Sequence, residues 1–306
     1  MKRITRESTS YLFDRHIEPA AIIQPGDRIV VETEDSCSGR IRTPADITPE
    51  NLTKLADEFD WFGPANRSNP ITGPIFVHDT EPGDTLIVRI DEIECDTQGF
   101  TGFWPIPARG MSDLFDSPRF KITPVINDQI IFNDRVRIPL KPMIGTIGTA
   151  PPLEIPSTSP AGTYGGNMDC PDIAPGSTVY LPIYVQGALL FLGDAHAVQG
   201  DGEVTGGGIE IRTDTVLTID RIKGSPLSMT WPRIETDDYL ITVAAGTPLE
   251  SALRTSLKEM ILWLEDQYHF DRNEAYLLLG QVGDAAPCQV VTSTYTMRFR
   301  MPKKYL

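Results

Sequence analysis

Positive charge is scarce in this 306-residue chain: 27 Lys and Arg stand against 42 Asp and Glu, a formal net charge of −15. Phosphate backbones are gripped by clustered Lys and Arg, so the shortage argues against nucleic acid. It argues equally against an anionic membrane surface. Long apolar runs are missing too. The longest, around Val179 to Leu192, is broken by Pro182, Gln186 and Gly187, whereas a span needs about 20 apolar residues. No apolar stretch follows the basic residues near Met1, so no secretory leader is expected. Cysteine is limited to Cys37, Cys95, Cys170 and Cys288, with no CxxC pair. That argues against a disulfide framework or a Cys-rich zinc site, and the expectation is a reduced, cytoplasmic protein. Of the four histidines, His16 and His269 have no chemical neighbourhood and read as structural.

What the chain has in excess is glycine and proline, 25 and 26 residues. They are spread along the sequence, as turns between many short strands would require. Arg28 to Thr33 and Thr85 to Ile93 read as strands, the second with Leu86, Val88 and Ile90 alternating against polar residues. Further strands are expected at 121–126, 129–132, 136–138, 178–185, 188–192, 206–212, 215–222, 239–244 and in 289–301. Thr48 caps a short helix opened by Pro49. Two more helices are expected near 248–268 and 272–283, the first from a capping box at Thr247-Pro248-Leu249-Glu250 and the second from Asp271. The fold class is therefore α+β and mainly β: sandwich or jelly-roll-like antiparallel sheets with a smaller α/β portion carrying the two late helices. The expected division is an N-terminal mainly-β part, 1–140, and a β-rich catalytic part, 141–306, with the site between them.

Chemistry is densest in Gly193-Asp194-Ala195-His196-Ala197-Val198-Gln199-Gly200-Asp201-Gly202-Glu203. Asp194 and His196, two apart at a strand end, point to the same side. A carboxylate and an imidazole suit a first-row metal, zinc above all. The glycines let the chain turn so that Gln199, Asp201 and Glu203 come back to the same spot. The bland alternative is a solvated acidic turn. Glu32, Glu34 and Asp35, after the first strand, are placed to complete a cation site or to form an exposed acidic turn. In Gly165-Gly166-Asn167-Met168-Asp169, backbone N–H groups would face an anionic or carbonyl oxygen; a tight loop needing glycine for steric reasons is the alternative. His78 reads as a strand histidine. No GxSxG nucleophile elbow occurs.

Five strings in order resemble a known family: Pro70-Ile71-Thr72-Gly73-Pro74-Ile75-Phe76-Val77, Glu81-Pro82-Gly83-Asp84-Thr85-Leu86, Ile144-Gly145-Thr146-Ile147-Gly148, Gly165-Gly166-Asn167-Met168-Asp169 and the Gly193–Glu203 segment. Together, over about His16 to Gly283, they resemble the acetamidase/formamidase family. The resemblance implies a β-rich, metal-associated enzyme that hydrolyses a small linear amide, formamide- or acetamide-like, to a carboxylate and ammonia. Lactam hydrolases also occur in that family. A non-catalytic, metal-stabilised binding protein for a small carbonyl or sugar-like ligand is the alternative from another class.

On this reading a divalent metal, zinc, is held by Asp194 and His196, with a third carboxylate from Asp35 or Glu32; calcium stays open as a second, structural ion. Glu203 takes the water proton, Gln199 orients the water or the amide NH₂, and Gly166 and Asn167 help hold the oxyanion. Gly165, Asp169, Asp201 and His78 complete the set as substrate contacts. Phe100, Phe103 and Trp104 either line the site or pack at a subunit contact. An exposed apolar C-terminal strand makes a homo-oligomer, a dimer in its simplest form, the expected assembly.

Overall fold

The computed structural model describes residues 1–60, 67–104, 113–224 and 229–306. The first half runs β1 (Lys2–Ile4), β2 (Thr9–Ser10), β3 (Ala21–Ile23), β4 (Arg28–Thr33), α1 (Pro49–Glu58), β5 (Ile71–Val77), β6 (Thr85–Cys95) and β7 (Gln98–Phe103). Then follow β8 (Arg119–Ile126), β9 (Gln129–Ile131), β10 (Arg137–Pro139), β11 (Met143–Thr149), β12 (Ala161–Gly162), β13 (Gly165–Asn167), β14 (Thr178–Pro182) and β15 (Leu190–His196). The chain ends with β16 (Thr213–Ile222), β17 (Arg233–Glu235), β18 (Tyr239–Gly246), α2 (Leu249–Tyr268), α3 (Arg272–Val282), β19 (Asp284–Gln289) and β20 (Tyr295–Pro302).

Two large sheets face each other. One has nine strands in the order β1-β4-β16-β6-β14-β17-β18-β20-β19, the other seven in the order β12-β13-β11-β15-β5-β2, with β3 beside β5. Except for β1 on β4 and β3 on β5, the pairings are antiparallel. A four-stranded ribbon, β10-β9-β8-β7, completes the mainly β fold. Both large sheets take strands from before and after residue 140. The main core lies between them, with Ile29, Val31, Leu86, Val88 and Leu217 from one side against Ile75, Ile144, Ile147, Leu190 and Leu192 from the other. Each such side chain contributes roughly 1.5–3 kcal/mol when fully buried.

The alternation read in β6 is real: Leu86, Val88 and Ile90 are buried while Arg89 is exposed. Thr48 caps α1, its Oγ1 accepting from the Asn51 amide, and Asp271 caps α3 by accepting from Asn273 and Glu274. The capping box expected before α2 does not form. Pro248 takes the cap position and Thr247 instead donates to the Ser293 carbonyl at 2.7 Å. The strand expected at 206–212 is irregular chain with a single bridging residue, Glu210. The C-terminal strand is not an exposed apolar edge: β20 lies between β18 and β19, and Met297, Phe299 and Met301 are buried. All four cysteines are free. No helix among the described residues is long and apolar enough to cross a membrane.

Candidate active site

Strand β15 begins as the apolar run Leu190-Phe191-Leu192 and stays buried through Gly193-Asp194-Ala195-His196. Burial on both faces explains the apolar run; the polar residues at its end then need partners inside the protein. Asp194 departs from strand geometry, with φ at 53°. Asp169 (φ 47°) and Glu203 (φ 46°) share this left-handed conformation. Residues other than glycine adopt it at a cost, and such departures gather at functional sites.

These three acids converge with Glu210 on the His196 ring. Nε2 lies 3.0 Å from Glu210 Oε1 and 3.6 Å from Asp194 Oδ1. Two overlapping groups result, Asp169–His196–Glu203 and Asp194–His196–Glu210, with ligand-competent atoms in each within 4.8 Å of one another. All five residues are buried. Two carboxylates 4 Å apart repel by about 4 kcal/mol at an effective dielectric of ~20, so this constellation calls for protons or a cation. Asp169 Oδ1 and Oδ2, His196 Nε2 and Glu210 Oε2 make no hydrogen bond to another described residue.

The electrostatics record the same tension. Burial, and next the Asp194 charge, push the Asp169 carboxyl well above its ordinary range. Burial and then Asp169 do the same to Glu203. Burial followed by Glu210 raises Asp194. For His196, burial lowers the pKa, but Glu210 and Asp194 outweigh it and the net shift is upward. Burial opposes the charged form of Glu210, yet His196 prevails and lowers its pKa.

Gln199 fixes the other face of the ring. Its Nε2 donates to the carbonyls of Asp169 (2.8 Å) and Cys288 (3.0 Å), so the amide can present only Oε1 to His196 Nδ1, at 2.8 Å. An acceptor there requires the proton on Nδ1. The neutral ring then keeps a lone pair on Nε2, aimed at the acids. These bonds engage both ends of the Gln199 amide, with His196 on one side and two backbone carbonyls on the other.

The remaining expected site residues are placed as follows. Thr146 Oγ1 lies 2.6 Å from Asn167 Oδ1 and 3.2 Å from Asp194 Oδ2, which keeps Asn167 beside the cluster. Gly165 and Gly166 are threaded in β13 between β12 and β11, so their backbone is part of a sheet rather than an open loop. Asp35 is buried but turned to its own loop, Oδ1 accepting from the amides of Cys37 and Gly39. Glu32 points away, bonded to Arg3 at 2.9 Å and near Arg6. Asp201 pairs with Arg298 at 2.6 and 3.0 Å, outside the cluster. His78 is exposed in the turn after β5, its ring edge-on to Phe76. Neither Asp35 nor Glu32 supplies the third carboxylate of either group.

Glu210 was not anticipated. Its backbone N–H and C=O both bond Phe100 of β7 (2.8 and 3.0 Å), and it bridges His196 of β15 as well. The trace in the sequence is an acid with isoleucine on both sides, Ile209-Glu210-Ile211, directly after three glycines. All three residues are buried.

With this geometry in place, the similarities become informative. A sequence profile of the acetamidase/formamidase family matches residues 3–162 and 156–293. A formamidase of Methylophilus methylotrophus is 27% identical over 247 residues, covering 60% of this chain and 56% of that protein. An acetamidase of Mycolicibacterium smegmatis is 25% identical over 271 residues, 68% of this chain and 64% of that protein. The chain thus spans less than two thirds of the length of these relatives. Among solved structures, an acetamidase from Bacillus halodurans superposes with a TM-score of 0.90 at 35% identity, covering 99% of this chain and 98% of that one. A γ-lactamase from Delftia acidovorans, 21% identical with a TM-score of 0.67, shares the fold over 98% of this chain and 89% of that one. The chain belongs to the acetamidase/formamidase family.

Proposed function

We propose that this protein is a metal-dependent hydrolase of a small linear amide, releasing a carboxylate and ammonia. The observation that carries the reading is the hydrogen bond from His196 Nδ1 to Gln199 Oε1, which in the neutral ring leaves Nε2 as a lone-pair donor facing buried carboxylates. His196, Asp194 and Glu210 would hold a divalent ion. One imidazole and two carboxylates form a donor set that suits zinc, and the orphaned Nε2 and Glu210 Oε2 fit that role. When bound, such an ion supplies positive charge that polarises a carbonyl and acidifies water. Both groups of metal-competent side chains found among the described residues share His196, which favours one ion over a zinc with a separate structural calcium.

Asp169 and Glu203 then carry the protons. Kept ionised by the positive charge that a bound ion would bring, Glu203 takes the proton of the attacking water on a carboxylate oxygen and passes it to the departing nitrogen, so that ammonia leaves as a neutral molecule. Asp169, in the same group, raises the affinity of Glu203 for that proton between the two transfers. Asn167, steadied by Thr146, offers its side-chain amide to the developing oxyanion. Gly165 and Gly166 set the backbone from which Asn167 reaches the cluster.

Glu203→Gln tests the assignment. Ammonia release from formamide and acetamide should fall by about 10²–10⁴, with metal content by elemental analysis unchanged. Near-normal turnover in that variant would remove Glu203 from the mechanism. Metal bound with no hydrolysis by the wild-type protein across short amides and lactams would instead favour a binding protein.

A further inference from the structure

Strands β7 and β8 place aromatic rings over the Glu210 side of the site. A cleft there is lined by Ser36, Phe100, Phe103, Trp104, Phe120 and Glu210, with Gly102, Thr205, Gly206 and Gly207 completing the lining. The Phe100 and Phe120 rings stack at 6.2 Å, and Trp104 meets Phe120 edge-on at 5.7 Å. Phe120 lies flat on bare backbone: a Cβ at Gly102 would fall 2.5 Å from its ring. The arrangement is tied to the reacting end, because Phe100 bonds the Glu210 backbone and Glu210 touches His196. Apart from Glu210, the lining carries no charged side chain.

We propose that Phe120 and Trp104 are the specificity-determining residues of this enzyme, forming the wall that stops the acyl chain of the amide. This rests on the amidase reading above. An amide whose carbonyl sits at the His196–Glu210 end directs its acyl group between these rings and the glycine backbone. The wall accepts short, uncharged chains and rejects each added methylene by overlap with a ring that Gly102 holds flat. Removing the Phe120 ring opens the cleft outward without touching His196 or any of the four clustered acids.

The test measures kcat/KM for straight-chain primary amides of one to six carbons and for benzamide, in the wild type, Phe120→Ala and Trp104→Ala. Phe115→Ala is the control, since Phe115 packs on Phe103 at 4.6 Å outside the cleft lining. In parallel, calorimetry reads binding of acetohydroxamate and benzohydroxamate, which reports the cleft without turnover. The expected result is a rise of about 10-fold or more in the long-to-short ratio for Phe120→Ala, the scale of one methylene in an apolar pocket, in both measurements. Trp104→Ala should act in the same direction and Phe115→Ala should leave the ratio where it is. A ratio unchanged in folded Phe120→Ala and Trp104→Ala proteins overturns the proposal. If no amide is hydrolysed but the hydroxamate ratio moves as expected, the amidase reading fails while the wall stands. If neither hydroxamate ratio moves, the wall falls as well.

Discussion

Gly145 of β11 faces Asp169 so closely that a Cβ on it would lie 2.5 Å from Asp169 Oδ1 and 3.1 Å from Asp194 Oδ2. The two acids meet at the site because nothing but hydrogen occupies that point. Gly145→Ala must therefore push at least one carboxylate off the cluster. The expected outcome is a protein that folds at a cost of about 1–3 kcal/mol, typical of overpacking, and that holds metal weakly. Denaturant midpoints and elemental analysis check both halves.

Gln199 acts on His196 through the ring proton, so its removal should be felt in metal affinity before anything else. Gln199→Leu keeps the volume but removes the acceptor at 2.8 Å from Nδ1, and it also leaves the carbonyls of Asp169 and Cys288 without their donor. Loss of such an outer partner costs 10–100-fold in affinity. Competition with a zinc chelator measures it. An unchanged affinity would mean that the tautomer is set by something other than Gln199.

Asp35 gives a pH signature away from the cluster. Burial raises its pKa from 3.8 to about 7. Its contribution to stability is therefore complete below pH 3.8 and is lost as pH rises through 7, by at most about 4 kcal/mol. Asp35→Asn keeps an acceptor for the Cys37 and Gly39 amides and cannot ionise. Relative to wild type, it should gain stability between pH 5 and pH 8. Equal differences in the urea midpoint at the two pH values would contradict this.

Much of the site was legible because the chain itself writes it compactly. Asp194, His196, Gln199 and Glu203 fall within ten residues, and the glycines among them announce a turn. Asp169 was legible only as part of the Gly165–Asp169 string, because what lets it reach the cluster is Gly145, 24 positions earlier in β11. Glu210 escaped for a comparable reason. In Ile209-Glu210-Ile211 the alternation suggests a solvated side chain on a half-buried strand, whereas the segment is buried between β7 and β15. Glu32 and Asp201 misled in the opposite sense. Glu32 reads as a candidate ligand and Asp201 as a candidate substrate contact, and each is paired instead with an arginine, Arg3 and Arg298, 29 and 97 residues away. The fold was more readable than the site. Alternation in β6 and the side-chain caps of α1 and α3 are local signals, while the order of nine strands in one sheet is not.

The left-handed backbone at Asp169, Asp194 and Glu203 has a consequence for anyone evolving this protein. Glycine at any of these positions would relax the chain and abolish a buried carboxylate in one step. A laboratory selection for heat resistance alone is therefore drawn toward these three codons. The sturdiest clones from such a selection would be the inert ones, so activity has to be screened alongside survival from the first round.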